Sequence, residues 1–503
     1  MTPRWGGGLT YRVRTLPTPS RGAVVARALR LIASLLRHLG PLSLTLVRAL
    51  RAGTVDPAVI AVPLRKVFDE AGGTFVKLGQ IIASSPGLFG DEMAAEFRGC
   101  LDTGPAVPFR DVRRAIEDEL GAPLETLFAS VEEEPIGRAS IAVVHRGVLH
   151  DGTEVAIKVL RPGIAHLVAT DLALMGPLCD VIARTTGAQV AGAMLQQVDG
   201  LRLQLGEELD LRNEAGALAR FGELAGEIGL DRVVVPVAYP ALSGRDVLVM
   251  EFLDGVAIDD LAAVESEGLD PAPLIDQLIR GFFVMTVRHG VFHGDIHAGN
   301  LLLLRDGCIG VLDWGIVGRL DDATHHFFTT LLAAILGNED AWREVTALVM
   351  STYGTAITQA TGLEGDALAV FLRQMIEPIL LRPFGEISFS DLMMATQQQV
   401  ATAQGMTFKA TNLRQWITKI RTQRKLHAMV TSSPGYLSDF DRGNFLLGKQ
   451  LMYFERYGRM YLHDRAILED RDFVQALLDH ADTSKNSVSG HYDGENLDPK
   501  ETP

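Results

Sequence analysis

Acid is missing from the first 55 residues of this 503-residue chain. Nine arginines and no lysine occur there, and Asp56 is the first carboxylate. The segment carries +9, which leaves −24 for the remainder of a chain whose formal charge is −15. Such asymmetry points to an anionic partner for the N-terminus. The acidic total excludes a general nucleic-acid binder, because neutralising phosphates needs a basic face. Cysteine is scarce as well. Cys100, Cys179 and Cys308 are far apart and match no zinc spacing, so they read as reduced thiols of a cytosolic protein. Long apolar runs are also lacking. Leu29 to Leu50 is interrupted by Arg30, Arg37, His38, Pro41 and Arg48, so no spanning helix is expected. What remains, 47% hydrophobic and 22% charged residues, excludes a mainly disordered or fibrous chain.

The composition divides the chain into five parts. Residues 1–59 form a basic segment whose first 21 residues, rich in Gly, Pro, Thr and Arg, read as lacking fixed structure. Over 22–39 the spacing predicts an amphipathic helix. Val25, Leu29, Ile32 and Leu36 share one side, and Arg27, Arg30 and Arg37 fall opposite. Two placements are open for it: an anionic membrane surface, or the chain's own acidic body. Residues 60–130 read as a helical extension. Residues 131–253 hold β-rich runs: Ile141–Leu149 and Glu154–Leu160 flank Asp151-Gly152, a hairpin signal, and Arg232–Tyr239 and Asp246–Leu253 flank Ser243-Gly244. Between these pairs a helix is expected at about 196–224. Residues 254–483 are mostly helical apart from a hairpin around Arg305-Asp306-Gly307, and 484–503 read as a disordered tail.

Four features point to one chemistry. Val155-Ala156-Ile157-Lys158 alternates so that Ala156 and Lys158 share a strand face, a small residue for a purine beside an ammonium for its phosphates. His293-Gly294-Asp295-Ile296-His297-Ala298-Gly299-Asn300 follows a helix, and Asp313-Trp314-Gly315 closes the next hairpin. Kinase-like sites use an acid, an Asn five residues later and a metal-binding Asp before Gly. Asp295 would orient or deprotonate the attacking oxygen, while Asn300 and Asp313 are hard oxygen ligands suited to Mg²⁺. The fourth feature is the acidic stretch Glu207–Glu214, from which Glu214 is the choice to hold Lys158. His293 and His297 could with Asp295 imitate a zinc cluster, but the Asn and the second Asp explain the acids better.

These residues resemble the UbiB/AarF-domain atypical kinases, associated with ubiquinone biosynthesis and lipid homeostasis. The most specific match is Phe75-Val76-Lys77-Leu78-Gly79-Gln80, the family's K-x-G-Q, and Glu208-Leu209-Asp210 matches its E-x-D. Ala139-Ser140 stands where the family has an alanine-rich nucleotide loop. The resemblance implies an α+β, two-lobed protein-kinase-like fold with an N-terminal helical extension and a helical C-terminal region. It implies ATP and Mg²⁺ as cofactors, with Asp295 and Lys158 catalytic and Asn300 and Asp313 on the metal. Ala139, Ser140, Ala156, Lys158, Glu214, Met250, Glu251 and Leu253 would meet the nucleotide, and Lys77, Gln80, Glu208 and Asp210 would gate the cleft. The implied partners are an isoprenoid or quinone-type lipid and an anionic membrane, on whose inner face the cytoplasmic chain would be peripheral. Aminoglycoside- and choline-kinase-type phosphotransferases, which share the Gly294 and Trp314 pattern, are the rival, and a nucleotide-binding scaffold without turnover is a third reading.

Overall fold

The structure is a computed structural model that describes residues 12–42, 58–83, 91–97, 106–186, 200–361, 365–386, 439–466, 468 and 470–488. The apolar stretch carrying Arg48 and Arg51, and Cys100, lie outside the described residues. The chain has an α+β, kinase-like architecture. Its first lobe is an antiparallel sheet of β1 (Ser130–Val131), β2 (Gly137–Arg138), β3 (Ala142–Val148), β4 (Glu154–Leu160) and β6 (Val247–Glu251). The order is β1-β3-β4-β6, with β2 also paired to β3. Strand alternation splits the burial. Val155, Ile157 and Val159 pack with Val112, Ile116, Val247 and Val249, while Ala156 joins the main core. Lys158 therefore points to the interior side, where the cleft lies.

β5 (Val233–Val234) does not form the expected hairpin with β6. Pro236 and Pro240 lack the N–H a ladder needs, so the run ends early and a 3₁₀ turn follows at Pro240–Leu242. Only an isolated bridge, Ala238 to Met250, joins it to β6. β5 pairs instead, in parallel, with β10 (Ile309–Val311), in a sheet completed by β9 (Leu301–Leu304) and β7 (Gly255–Ala257). β8 (Val291–His293) and β11 (Val317–Arg319) form a third, two-stranded sheet.

Helices fill the rest. In chain order they are α1 (Arg21–Leu39), α2 (Ala58–Ala71), α3 (Thr74–Ala83), α4 (Asp91–Phe97), α5 (Phe109–Leu120) and α6 (Ile164–Thr186). There follow α7 (200–208), α8 (Leu211–Glu227), α9 (Leu261–Ser266), α10 (Ala272–His289) and α11 (Asp322–Ile335). The last are α12 (Glu339–Thr361), α13 (Gly365–Leu381), α14 (Asp439–Tyr461) and α15 (Arg471–Val488). α15 continues past Ser484 to Val488, so the expected tail begins no earlier than 489. Among the described residues no helix is long and apolar enough to cross a membrane. α2, α3 and α4 share a small core of Ala61, Phe68, Val76, Ile82, Met93 and Phe97, with Phe68 edge-on to both Phe75 and Phe97.

The N-terminal segment departs from expectation. Residues 12–20 run along the body rather than free. The Arg12 N–H donates to Asn213 Oδ1 at 2.8 Å, and Asn213 Nδ2 donates back to the Arg12 carbonyl at 2.7 Å. Arg14 donates to Asp246 and to the Leu209 carbonyl. Its backbone N–H bonds the Gly206 carbonyl at 2.8 Å. A Cβ at Gly206 would sit 2.7 Å from Val13, so only glycine admits this close approach. α1 then docks through its arginine side. Arg27 is buried on Asp171 at 2.7 Å and also donates to the Ala71 carbonyl, and Arg37 meets Glu70 at 2.7 Å. Val25, Leu29, Ile32 and Leu36 face outward, half or more exposed.

Candidate active site

The loop carrying Asp295 and Asn300 hangs between β8 and β9. Gly290, in the left-handed region at φ 65°, stops α10 and turns the chain into β8. His293 at the end of β8 is buried. Its Nδ1 accepts from the Asp295 N–H at 3.1 Å, and its Nε2 donates to the Leu312 carbonyl at 3.1 Å. Burial pulls its pKa down to about 4, against the pull of the Leu312 carbonyl and of Asp295. A neutral imidazole with both nitrogens engaged is a structural tie rather than a metal ligand. Asn300 closes the loop, donating from Nδ2 to the Asp295 carbonyl at 2.9 Å. Trp314 fixes the other strand end: its Nε1 donates to the Val311 carbonyl, and its ring packs on Phe221 and edge-on to His293. Asp313, just before it, has φ 49°, the one positive φ at a non-glycine residue among the described residues. Aspartate tolerates that conformation better than most residues. It turns the carboxylate toward Lys158.

Lys158 Nζ lies 2.8 Å from both carboxylate oxygens of Glu214 and 3.0 Å from Asp313 Oδ1. Both Lys158 and Glu214 are buried. Burial disfavours the ammonium, but Asp313 and Glu214 outweigh it and raise the Lys158 pKa, so it stays charged. Glu214 is pushed up to about 7 by burial, with Lys158 opposing. Asp313 goes the other way: burial opposes ionisation, but the lysine charges of Lys158 and Lys77 hold it well below the usual carboxylate range. Asp295 is also lowered, with burial outweighed chiefly by Lys449.

These groups line an open cavity of about 480 Å³. Of the residues read from the sequence, Lys77, Ala139, Ser140, Lys158, Glu208, Glu214, Asp295, Asn300 and Asp313 line it. Ala139 and Ser140 sit in the tight turn from β2 to β3, where Arg161 donates to the Ala139 carbonyl at 3.0 Å. Lys77, on α3, reaches across to Glu208 Oε2 at 3.3 Å. Gln80 lies three residues on in the same helix, and its side chain falls outside the described residues.

Five others do not line the cavity. Ala156 and Met250 are cross-strand neighbours, both buried. Glu251 accepts the Val237 N–H at 3.3 Å, and Leu253 packs against Gly310 on β10. Asp210 is a correction. The expected helix over 196–224 breaks at Leu209 and Asp210, and Asp210 becomes the N-cap of α8, accepting the Arg212 N–H at 3.2 Å. It also pairs with the Arg212 guanidinium at 2.8 Å. The break separates the two acids: Glu208 faces the cleft and Asp210 caps the next helix. His297 lines the cavity too, although its spacing alone gave it no role. Sequence reasoning missed Lys449 and Tyr453, on α14, which reach Asp295 at 2.7 Å and 3.1 Å.

The lining suits a nucleotide with a divalent ion. Two lysines face four carboxylates there, Glu208, Glu214, Asp295 and Asp313, so acids outnumber bases on the wall. Among the described residues no group of three or more His, Cys, Asp or Glu could hold a metal by itself. Asp313 and Asn300 offer two oxygen ligands, which fits Mg²⁺, an ion that takes one or two protein ligands and completes its shell with phosphates and water.

Comparison with known proteins agrees with this geometry. Residues 100–346 match the ABC1 atypical kinase-like domain. An uncharacterized aarF domain-containing protein kinase, chloroplastic, from Arabidopsis thaliana is 34% identical over 414 residues, 81% of this chain and 73% of that protein. An uncharacterized protein of Mycobacterium tuberculosis is 33% identical over 402 residues, 79% of this chain and 74% of that one. A "probable protein kinase UbiB" from Cellvibrio japonicus is 31% identical over 338 residues, 66% of this chain and 59% of that protein. A solved complex of a Mycobacterium tuberculosis protein with erythromycin aligns over 72% of this chain and 90% of that one, at 24% identity and a TM-score of 0.42, a likeness too slight to build on. The chain belongs to the ABC1/aarF atypical kinase-like family, with UbiB-type relatives.

Proposed function

We propose that this chain is an ATP- and Mg²⁺-dependent phosphotransferase or ATPase that works at an anionic membrane, on or beside an isoprenoid or quinone-type lipid. The observation that carries the catalytic part is Lys158, held between Glu214 and Asp313 in a cavity that also presents Asp295 and Asn300. Lys158 would meet the nucleotide phosphates. Asp313 and Asn300 would hold Mg²⁺, which when bound neutralises phosphate charge. Asp295 would orient the acceptor oxygen and take its proton. Lys77 and Glu208 bridge the cavity from α3 to α7, so the helical extension covers part of its mouth. That arrangement supports a small or lipid-borne acceptor, or water, over a protein substrate.

α1 supports the membrane part. Its arginine side is largely taken up by Asp171 and Glu70, and its apolar stripe is left outward; Arg21 and Arg30 are exposed as well. A docked helix with an outward apolar stripe can rest in a lipid interface without leaving the body. The two placements open from sequence are thus compatible: the arginines dock, and the stripe meets lipid. Phosphate release measured for the full chain, alone and with anionic liposomes, tests the reading. Turnover that is lost in Asp295→Asn and Asp313→Asn, and raised by the liposomes, is expected. Absence of turnover in every arm, with nucleotide still bound, would leave a binding scaffold.

A further inference from the structure

Asp295 is held from a part of the chain far from the catalytic loop. α14, more than 140 residues later, presents Lys449, Tyr453, Tyr457 and Tyr461 at four-residue steps, and such residues form one stripe. Lys449 Nζ lies 2.7 Å from Asp295 Oδ1, and the Tyr453 hydroxyl donates to that same oxygen at 3.1 Å. One turn on, the Tyr457 hydroxyl donates to the carbonyl of Ile296 at 2.7 Å. The Tyr461 hydroxyl donates to the carbonyl of Ile258 at 2.5 Å. The helix cannot shift easily along this track: Phe454 and Tyr457 are fully buried, and Phe454 packs edge-on to Phe282 of α10.

Both contacts to the Asp295 carboxylate fall on Oδ1. Among the described residues no hydrogen bond is made to Oδ2. The backbone of Asp295 is fixed as well, by His293 at its N–H and by Asn300 at its carbonyl. A carboxylate tied by its backbone and one oxygen keeps the other oxygen in a set direction, as an orienting partner does for a catalytic base. The lysine also offsets the charge of a mostly buried carboxylate, and it does so through one oxygen only, leaving Oδ2 unbonded among the described residues.

We propose that Lys449, assisted by Tyr453, is a positioning residue that fixes Oδ1 of Asp295 and so aims Oδ2 at the acceptor. The idea rests on the reading of Asp295 given under Proposed function. In the step it serves, the acceptor O–H gives its proton to Asp295 Oδ2 while the acceptor oxygen bonds the γ-phosphorus. The bond from that phosphorus to the β,γ-bridging oxygen breaks, and ADP leaves with the electron pair. Lys449 touches none of the reacting atoms and does not line the nucleotide cavity.

The test uses the full chain and four variants, Lys449→Met, Lys449→Arg, Tyr453→Phe and Asp295→Asn. ATP affinity is read by titration with a fluorescent ATP analogue, and kcat and KM by phosphate release. Lys449→Met should keep ATP affinity within about twofold and lower kcat on the order of tenfold to a hundredfold, the scale of a misplaced catalytic group. Lys449→Arg should recover most of that loss, and Tyr453→Phe should lose less than Lys449→Met. Unchanged kcat in Lys449→Met, a loss confined to KM for ATP, or no recovery in Lys449→Arg overturns the proposal. Should Lys449→Met fail to fold, Lys449→Gln takes its place with the same expectations. Wild-type turnover in Asp295→Asn, or none in the wild type, overturns the reading of Asp295 itself and this proposal with it. Loss in Asp295→Asn beside a normal Lys449→Met overturns this proposal alone.

Discussion

Removing Lys158 should weaken the fold in a pH-dependent way, because buried Glu214 and partly exposed Asp313 share that one ammonium. In Lys158→Met, Glu214 loses both of its 2.8 Å contacts and Asp313 loses its 3.0 Å contact, though Asp313 still feels Lys77. A buried carboxylate without a partner takes up a proton. Burial already pushes the Glu214 pKa from 4.5 to about 7 with Lys158 in place, so in the variant it is protonated at neutral pH. The folded pKa is then raised above the unfolded one. The native state holds a proton that the unfolded chain has released, and stability falls as pH rises above 4.5. The wild type shares this fall up to about pH 7, so the extra pH-dependent deficit of Lys158→Met opens above that, at about 1.4 kcal/mol per pH unit, and reaches about 3 kcal/mol near pH 9. Urea unfolding of wild type and variant at pH 6 and pH 9 reads it directly. Adding Glu214→Gln to Lys158→Met should remove most of the pH dependence. Equal deficits at pH 6 and pH 9 would refute the electrostatic account and leave lost packing as the cause.

Three other outcomes follow from the same geometry. His293 stays neutral in the fold, with its pKa lowered from 6.5 to about 4, so its contribution is complete above 6.5 and is lost as pH falls toward 4. The loss amounts to about 3 kcal/mol, and His293→Gln should show a flatter stability profile over that window than wild type. Asp210→Ala removes a helix N-cap and should cost about 1 kcal/mol in urea unfolding while ATP affinity stays within about twofold; a large loss of ATP binding would place Asp210 back in the cleft. Replacing Leu29 and Ile32 together by Gln should reduce sedimentation with anionic liposomes without lowering the melting temperature, since both side chains are half or more exposed; unchanged sedimentation would move any membrane contact elsewhere.

The elements of the candidate site were readable because they are local. Each of the spacings from Asp295 to Asn300, and from Asp295 to Asp313, lies within one loop and one hairpin, and the β4 alternation that places Ala156 beside Lys158 is a property of seven residues. The kinase-like class followed from those elements. What escaped the sequence is mostly tertiary. Nothing local to Asp295 announces Lys449 or Tyr453, although the Lys-Tyr-Tyr-Tyr spacing on α14 was visible as a polar stripe on a helix with an apolar side. The break at Asp210 was signalled by an Asp able to cap, but the unbroken apolar spacing through Leu205, Leu209 and Leu211 concealed it. The pairing of β5 with β10 could be half foreseen, since Pro236 and Pro240 forbid a long strand but do not name the new partner. At the N-terminus composition misled: residues 12–20 look like linker, yet the long-range contacts of Arg12 and Arg14 fasten them.

The central claim is that Asp313 and Asn300 bind a divalent ion with the nucleotide. Calorimetric titration of ATP into the full chain, with Mg²⁺ and with EDTA, tests it most directly, using Asp313→Asn beside the wild type. The expected result is binding that needs Mg²⁺ in the wild type and is weakened, with little metal dependence left, in Asp313→Asn. Equal ATP affinity with Mg²⁺ and with EDTA in the wild type would contradict the assignment of the site.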